Sequence, residues 1–159
     1  IIGILATEAS IAGEKFHHLI HTHAPNSKIK VITQPCSKFV DLVEAGTLSG
    51  SEVDAAIREY TTPMLAAGAD TLVLGCTHYP FLRESIQRIV GDDITLIDTG
   101  AAVAKQTQSL LSNITTSFSN RSLKINIYTT GHLDHLKTIF PTLCPSLQAS
   151  TQLNHLSLP

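Results

Sequence analysis

Four short apolar runs, each handing over to a stretch of helical spacing, limit this chain more than any other feature. They are "IIGILA" (1–6), "IKVIT" (29–33), "DTLVLG" (70–75) and "ITLID" (94–98). Each is near-continuously apolar rather than alternating, which is the pattern of a strand covered on both faces. The first run is followed by a helix over about 9–22, with Ile11, Phe16, Leu19, Ile20 and His23 on roughly one face. After the second, a turn over Gln34-Pro35-Cys36-Ser37 leads to a short helix from Phe39 closed by Gly46, and a longer helix spans 51–67 up to Gly68. Helices from Tyr79 to Val90, ending at Gly91, and from Gly100 to about 112 follow the last two runs. Strands alternating with helices predict an α/β fold, a parallel sheet flanked by helices on both faces.

The bulk properties exclude several function classes. At 43% hydrophobic over 159 residues the chain can build a core. A formal net charge of −2 recommends neither nucleic acid nor an anionic membrane as partner. No apolar run approaches the ~18 residues of a membrane span. Residues 1–6 are apolar, but no basic segment precedes them and no cleavage pattern follows, so no signal peptide is expected. The three cysteines, Cys36, Cys76 and Cys144, have no repeated spacing, which points to free thiols in a reducing compartment. His17 and His21 have a metal-capable spacing in "HHLIHTH" (17–23), but the run itself holds no carboxylate or cysteine, and a solvated helix face is the better account. His132 and His135 read as surface residues, so no metal is expected. The chain opens mid-strand and its single methionine is Met64, so residues before Ile1 are expected to be missing.

Beyond residue 112 the texture changes. "SNITTSFSNRS" (112–122) is polar and reads as a linker, followed by one more strand, "LKINIY" (123–128). A weak helix from about Leu133 to Phe140 is expected to stop at Pro141 and Pro145, and "LQASTQLNHL" (147–156) alternates like a short strand. This last portion is too small to hold its own core and must dock on something.

Chemistry concentrates at one strand end. In "LVLGCTHYP" (72–80) an apolar run stops at a glycine and a thiol, a hydroxyl and an imidazole follow at once. Open α/β sheets bind ligands beyond the carboxyl ends of their strands. A helix starting near Pro80 places its positive end at Cys76, where it favours a thiolate and can hold a carboxylate. Cys76 taken alone reads more readily as a small, inert buried hydrophobe. Thr77 and His78 tip the balance, because each polar group needs a partner if buried. Asp98, after the fourth strand, reads as the cap of the next helix.

The block "DTLVLGCTHYPFLRESIQRIVGDDITLIDTGAAVA" (70–104) resembles the corresponding part of the glutamate racemase family, within the aspartate/glutamate racemase superfamily. "IGILAT" resembles the strand carrying a substrate-side threonine, here Thr7. Ser10 stands where many members have a second threonine. "QPCSKFVDLVEAG" (34–46) resembles a further family segment, with the proline displaced to before the cysteine.

The resemblance implies a cofactor-independent racemase that interconverts L- and D-glutamate, the latter for bacterial peptidoglycan, in the cytoplasm. Two cysteines act from opposite faces of the substrate, one as thiolate base and one as thiol acid. Carried over by position, Cys76 is the second-domain cysteine, with His78 assisting it and Glu44 in a supporting electrostatic role. Thr77, His78, Thr7 and Ser10 are the substrate-side residues. The other family cysteine sits in a Cys-Asn-Thr motif, which these residues lack. The implied organisation is an incomplete two-domain enzyme. Residues 1–112 form the second domain, 113–122 a linker, and 123–159 a returning segment that completes the first domain. The partner is glutamate, and the family's dimers make a homodimer possible. The open alternatives are a sister amino-acid racemase of the same fold and a non-catalytic α/β binding module.

Overall fold

The computed structural model describes residues 1–24, 28–112 and 124–157. The linker expected over 113–122 lies outside them. Two compact units emerge, Ile1–Gln108 and Ser109–Pro159.

The first unit is an α/β layer structure. Its elements are β1 (Ile2–Ala6), α1 (Glu8–Ala12), α2 (Glu14–His23), β2 (Val31–Pro35), α3 (Ser37–Glu44) and α4 (Ser51–Ala66), then β3 (Thr71–Leu74), α5 (Arg83–Val90), β4 (Thr95–Ile97) and α6 (Gly100–Ser112), whose last residues reach into the second unit. Among the described residues the strands form one parallel sheet in the order β2-β1-β3-β4, flanked by helices. β1 therefore has its successor β2 on one side and β3 on the other. The crevice between β1 and β3 is the point where the winding reverses, the usual ligand position in an open parallel sheet.

One sheet face is sealed. Leu5 on β1, Leu72 and Leu74 on β3 and Leu96 on β4 are buried there. Gly3 faces α4 so closely that a Cβ would stand 2.8 Å from the Met64 methyl carbon and 2.7 Å from a Leu72 methyl. Val53, Ile57, Tyr60 and Met64 of α4 pack on this face with Phe39, Leu42 and Val43 of α3. On the opposite face Ile2, Ile4 and Val73 are half-buried and Ile97 is exposed. Neither α1, α2 nor α6 buries a residue.

Several element boundaries differ from the sequence reading. The helix expected over 9–22 is broken at Gly13, whose extended backbone ends α1 and starts α2. β2 lies two residues later than expected, because its register with β1 runs from Ile2–Val31 to Ala6–Pro35. Pro35 is tolerated there because β2 is an edge strand. The helix expected from Tyr79 begins instead as a 3-10 turn, Tyr79–Leu82 with Pro80 in its first positions, and becomes α-helical only at Arg83.

The second unit contains β5 (Ile125–Thr129), α7 (Leu133–Leu143), a 3-10 turn (Pro145–Ser150) and β6 (Thr151–His155). β5 and β6 pair in parallel, so the connection between them is a helical crossover. Contrary to expectation, Pro141 does not stop α7. Buried Ile139 and Phe140 anchor the helix, which continues to Leu143. The break comes at Cys144, ahead of Pro145. No described helix is long and apolar enough to cross a membrane.

Gly75 follows β3 and leaves little room for a side chain. An added Cβ would lie 3.0 Å from the Leu5 carbonyl oxygen and 3.2 Å from the Ala6 Cβ. Backbone cannot move aside as a flexible side chain can. Gly75→Ala is expected to lower stability by about 1–3 kcal/mol through overpacking, read from urea unfolding. An unchanged midpoint would contradict the close approach.

Candidate functional site

The strands' carboxyl ends share one edge of the sheet, and the chemically capable residues lie along it. Thr7 follows β1, Cys36 follows β2, Cys76 follows β3 and Asp98 follows β4. Thr7 and Cys76 flank the reversal between β1 and β3.

Cys76 is half-buried, and its Sγ lies 3.7 Å from His78 Nδ1. The other ring nitrogen, Nε2, lies 2.7 Å from Glu44 Oε1 at the end of α3. Thiol, imidazole and carboxylate therefore form a chain of three. Glu44 is 48% exposed and His78 30%, so the chain opens to solvent at its carboxylate end. A carboxylate at Nε2 favours the proton on that nitrogen, which turns the Nδ1 lone pair toward the thiol. The imidazole can then accept the thiol proton while Glu44 offsets the positive charge that develops.

The turn that carries Cys76 is tightly anchored. The Tyr79 amide donates to the Cys76 carbonyl at 3.2 Å, opening the 3-10 turn. Because α5 starts only at Arg83, Cys76 sits ahead of that helix, across the intervening 3-10 turn, rather than at its tip, and its thiol contacts the histidine. Tyr79 is fully buried, and its hydroxyl donates to the Cys36 carbonyl at 2.9 Å. Burial, together with the nearby Cys36 and Cys76 thiols, pushes its phenol above the ordinary range.

The substrate-side residues proposed from the sequence lie on the same edge but are not all drawn together. Thr7 caps α1, its Oγ1 accepting from the Ser10 amide at 3.2 Å and lying 2.8 Å from the Ser10 hydroxyl. Those two hydroxyls form one local pair. Thr77 is exposed next to Cys76. Asp98 caps α6 as expected, accepting from the Gly100 amide at 2.9 Å. It also pairs with Arg83 at 2.7 Å, while the same guanidinium donates to the Leu96 carbonyl at 2.9 Å. That clamp and the Tyr79–Cys36 bond were missed from sequence. Both join residues of different elements, and no local periodicity signals them.

Cys36 has the opposite environment from Cys76. It is fully buried and its thiol donates to the Gln34 carbonyl at 3.3 Å. Burial pushes this thiol from its ordinary 9.0 up to about 12. A groove of about 510 Å³ between α3 and α4 is lined by residues such as Asp41, Ala45, Glu52 and Glu59 and includes none of Cys76, His78 and Glu44.

Comparison with known proteins places this edge in context. Residues 1–107 match the family model described as Asp/Glu/Hydantoin racemase. The chain belongs to that family. A glutamate racemase of Herpetosiphon aurantiacus is 50% identical over 111 residues, covering 70% of this chain and 43% of that protein. One from Pseudomonas putida is 42% identical over 143 residues, covering 90% of this chain and 53% of that protein. The chain thus spans about half the length of the curated relatives it matches. Among solved structures, glutamate racemase from Francisella tularensis in complex with D-glutamate superposes with a TM-score of 0.79 at 30% identity, over 99% of this chain and 57% of that one. The Escherichia coli glutamate racemase, in complex with L-glutamate and the activator UDP-MurNAc-Ala, gives a TM-score of 0.76 at 26% identity.

Two outcomes are expected from this family member's contrasting thiols. Iodoacetamide at neutral pH alkylates Cys76 well ahead of Cys36 in the folded chain, as read by peptide mass mapping. Equal rates would contradict the buried setting of Cys36. The raised Cys36 pKa also fixes a sign. The unfolded thiol ionises above about 9 while the folded one stays neutral, so this contribution to stability is complete below pH 9 and is lost as pH climbs toward 12. Thermal melts of Cys36→Ser are therefore expected to show a shallower loss of stability across that window than the parent.

Proposed function

We propose that this chain supplies one half of a cofactor-independent glutamate racemase, with Cys76 as one of its two proton-transferring thiols. The observation that carries the reading is the Cys76–His78–Glu44 chain at the point where the sheet's winding reverses.

Racemisation at an α-carbon needs a base on one face and an acid on the other. In this reading His78 takes the thiol proton of Cys76 through Nδ1. The thiolate removes the α-proton of L-glutamate, and an acid facing it protonates the opposite face. In the reverse direction the Cys76 thiol is the acid, and His78 returns the proton. Glu44 holds the imidazole and balances its charge. Thr77, Thr7 and Ser10 line the same edge as hydroxyl donors for the substrate carboxylates.

The facing thiol comes from the first domain. Residues 1–112 are read as the second domain, and 123–159 as the segment that returns to complete the first. The parallel β5–β6 pair, a two-stranded sheet among the described residues, supports this arrangement. So does the match of almost the whole chain to just over half of the Francisella tularensis structure. The free state of Cys36, Cys76 and Cys144 fits a cytoplasmic setting, and a homodimer belongs to the same reading.

Two measurements test it on residues 1–159. Glutamate is expected to slow iodoacetamide alkylation of Cys76, whereas a non-catalytic binding module would show an ordinary thiol indifferent to glutamate. In deuterated water the chain alone is expected to racemise no glutamate, because racemisation requires the opposing acid. Full racemisation by this chain would overturn the two-domain reading.

A further inference from the structure

We infer that Tyr79 is the positioning residue of the Cys76–His78–Glu44 chain. The inference rests on the proposed role of that chain and adds what aligns it.

The alignment is not trivial. His78 and Cys76 lie on one turn, but Glu44 is 34 residues away on another element, and its contact with Nε2 requires that α3 sit at a fixed height and rotation against the turn. Tyr79 is the next residue after His78 and reaches both parts. Its amide donates to the Cys76 carbonyl at 3.2 Å. Its hydroxyl donates at 2.9 Å to the carbonyl of Cys36, the N-cap residue immediately before α3. Its ring meets Phe39 of α3 edge-on, with centroids 5.2 Å apart and planes at 89°. Phe39 in turn meets Tyr60 of α4 edge-on at 5.1 Å, so the contact is backed by core on its far side.

A single fully buried side chain therefore ties the start of α3 to the turn, and the end of α3 carries the carboxylate. The hydroxyl is not needed to satisfy a lone acceptor, since the Cys36 carbonyl also accepts from the Phe39 amide at 3.2 Å. Its direction is what matters. It prevents α3 from sliding along the ring. Burial holds the phenol above its ordinary range, so the hydroxyl remains a donor at neutral pH.

The test is the pH profile of Cys76 alkylation by iodoacetamide in residues 1–159, mapped by peptide mass. The ionisable groups facing Cys76 are His78, with Glu44 behind it, and Tyr79 itself. Tyr79→Phe keeps the ring and removes the tether. It is expected to move the Cys76 profile to higher pH, lowering the neutral-pH rate about threefold or more. Glu44→Gln is expected to do the same, and the double variant to match Glu44→Gln alone, because Tyr79 acts through Glu44. An unmoved profile in Tyr79→Phe beside a moved one in Glu44→Gln overturns the inference and leaves the proposed function standing. Additive shifts also overturn it. If neither variant moves the profile, the acid–base chain fails and the inference falls with it. Should Tyr79→Phe lose its circular-dichroism signature of folding, Phe39→Leu, which removes the other half of the contact, takes its place with the same expected shift.

Discussion

Gly75 donates its N–H to the Leu5 carbonyl at 2.8 Å, and the position of the site follows from that contact. It holds the end of β3 against the end of β1, at the crevice between strands whose connections run in opposite directions. A Cβ at Gly75 would crowd the neighbouring backbone, 3.0 Å from the Leu5 carbonyl oxygen. The chain must turn immediately afterwards, so the first three residues of the turn, Cys76, Thr77 and His78, emerge at the sheet's carboxyl edge. Parallel pairing thus does more than build a core: it delivers a thiol and an imidazole to the crevice where open α/β sheets usually bind ligands.

Around that turn the fold uses three kinds of restraint. Burial of Leu72 and Leu74 fixes β3 in the sheet. The Arg83 guanidinium, joined to Asp98 and the Leu96 carbonyl, locks the start of α5 to the end of β4. Tyr79 and Phe39 tie the turn to α3, and each edge-to-face ring contact adds about 0.5–1.5 kcal/mol beyond the area it buries. The Cys76–His78–Glu44 chain itself is comparatively open, with Glu44 half-exposed above an apolar underside.

The two cysteines of the first unit illustrate how environment divides identical chemistry. Cys36 and Cys76 both follow strands of the same sheet. Cys36 is enclosed among apolar side chains and hydrogen-bonds to backbone, which suppresses ionisation. Cys76 faces an imidazole that is itself held by a carboxylate. A shared strand-end position therefore leaves the two sulfurs in different surroundings, one sealed by burial and one beside an imidazole.

Much of this was legible in the chain alone. Apolar runs alternating with helical spacing announced the parallel sheet, and the Gly-Cys-Thr-His-Tyr-Pro run announced both the family and the thiol. These signals are local, carried by residue types a few positions apart, so a linear reading recovers them. Boundaries were less legible where two local preferences competed, as at Gly13 and at Pro141, where packing of Ile139 and Phe140 outweighed a missing N–H. The tertiary structure alone decided that Glu44 meets His78, that Tyr79 reaches Cys36 across 43 residues, and that Arg83 closes on Asp98. Strand order brings those residues together, and strand order is set by the packing of the whole layer, which no short stretch of sequence encodes.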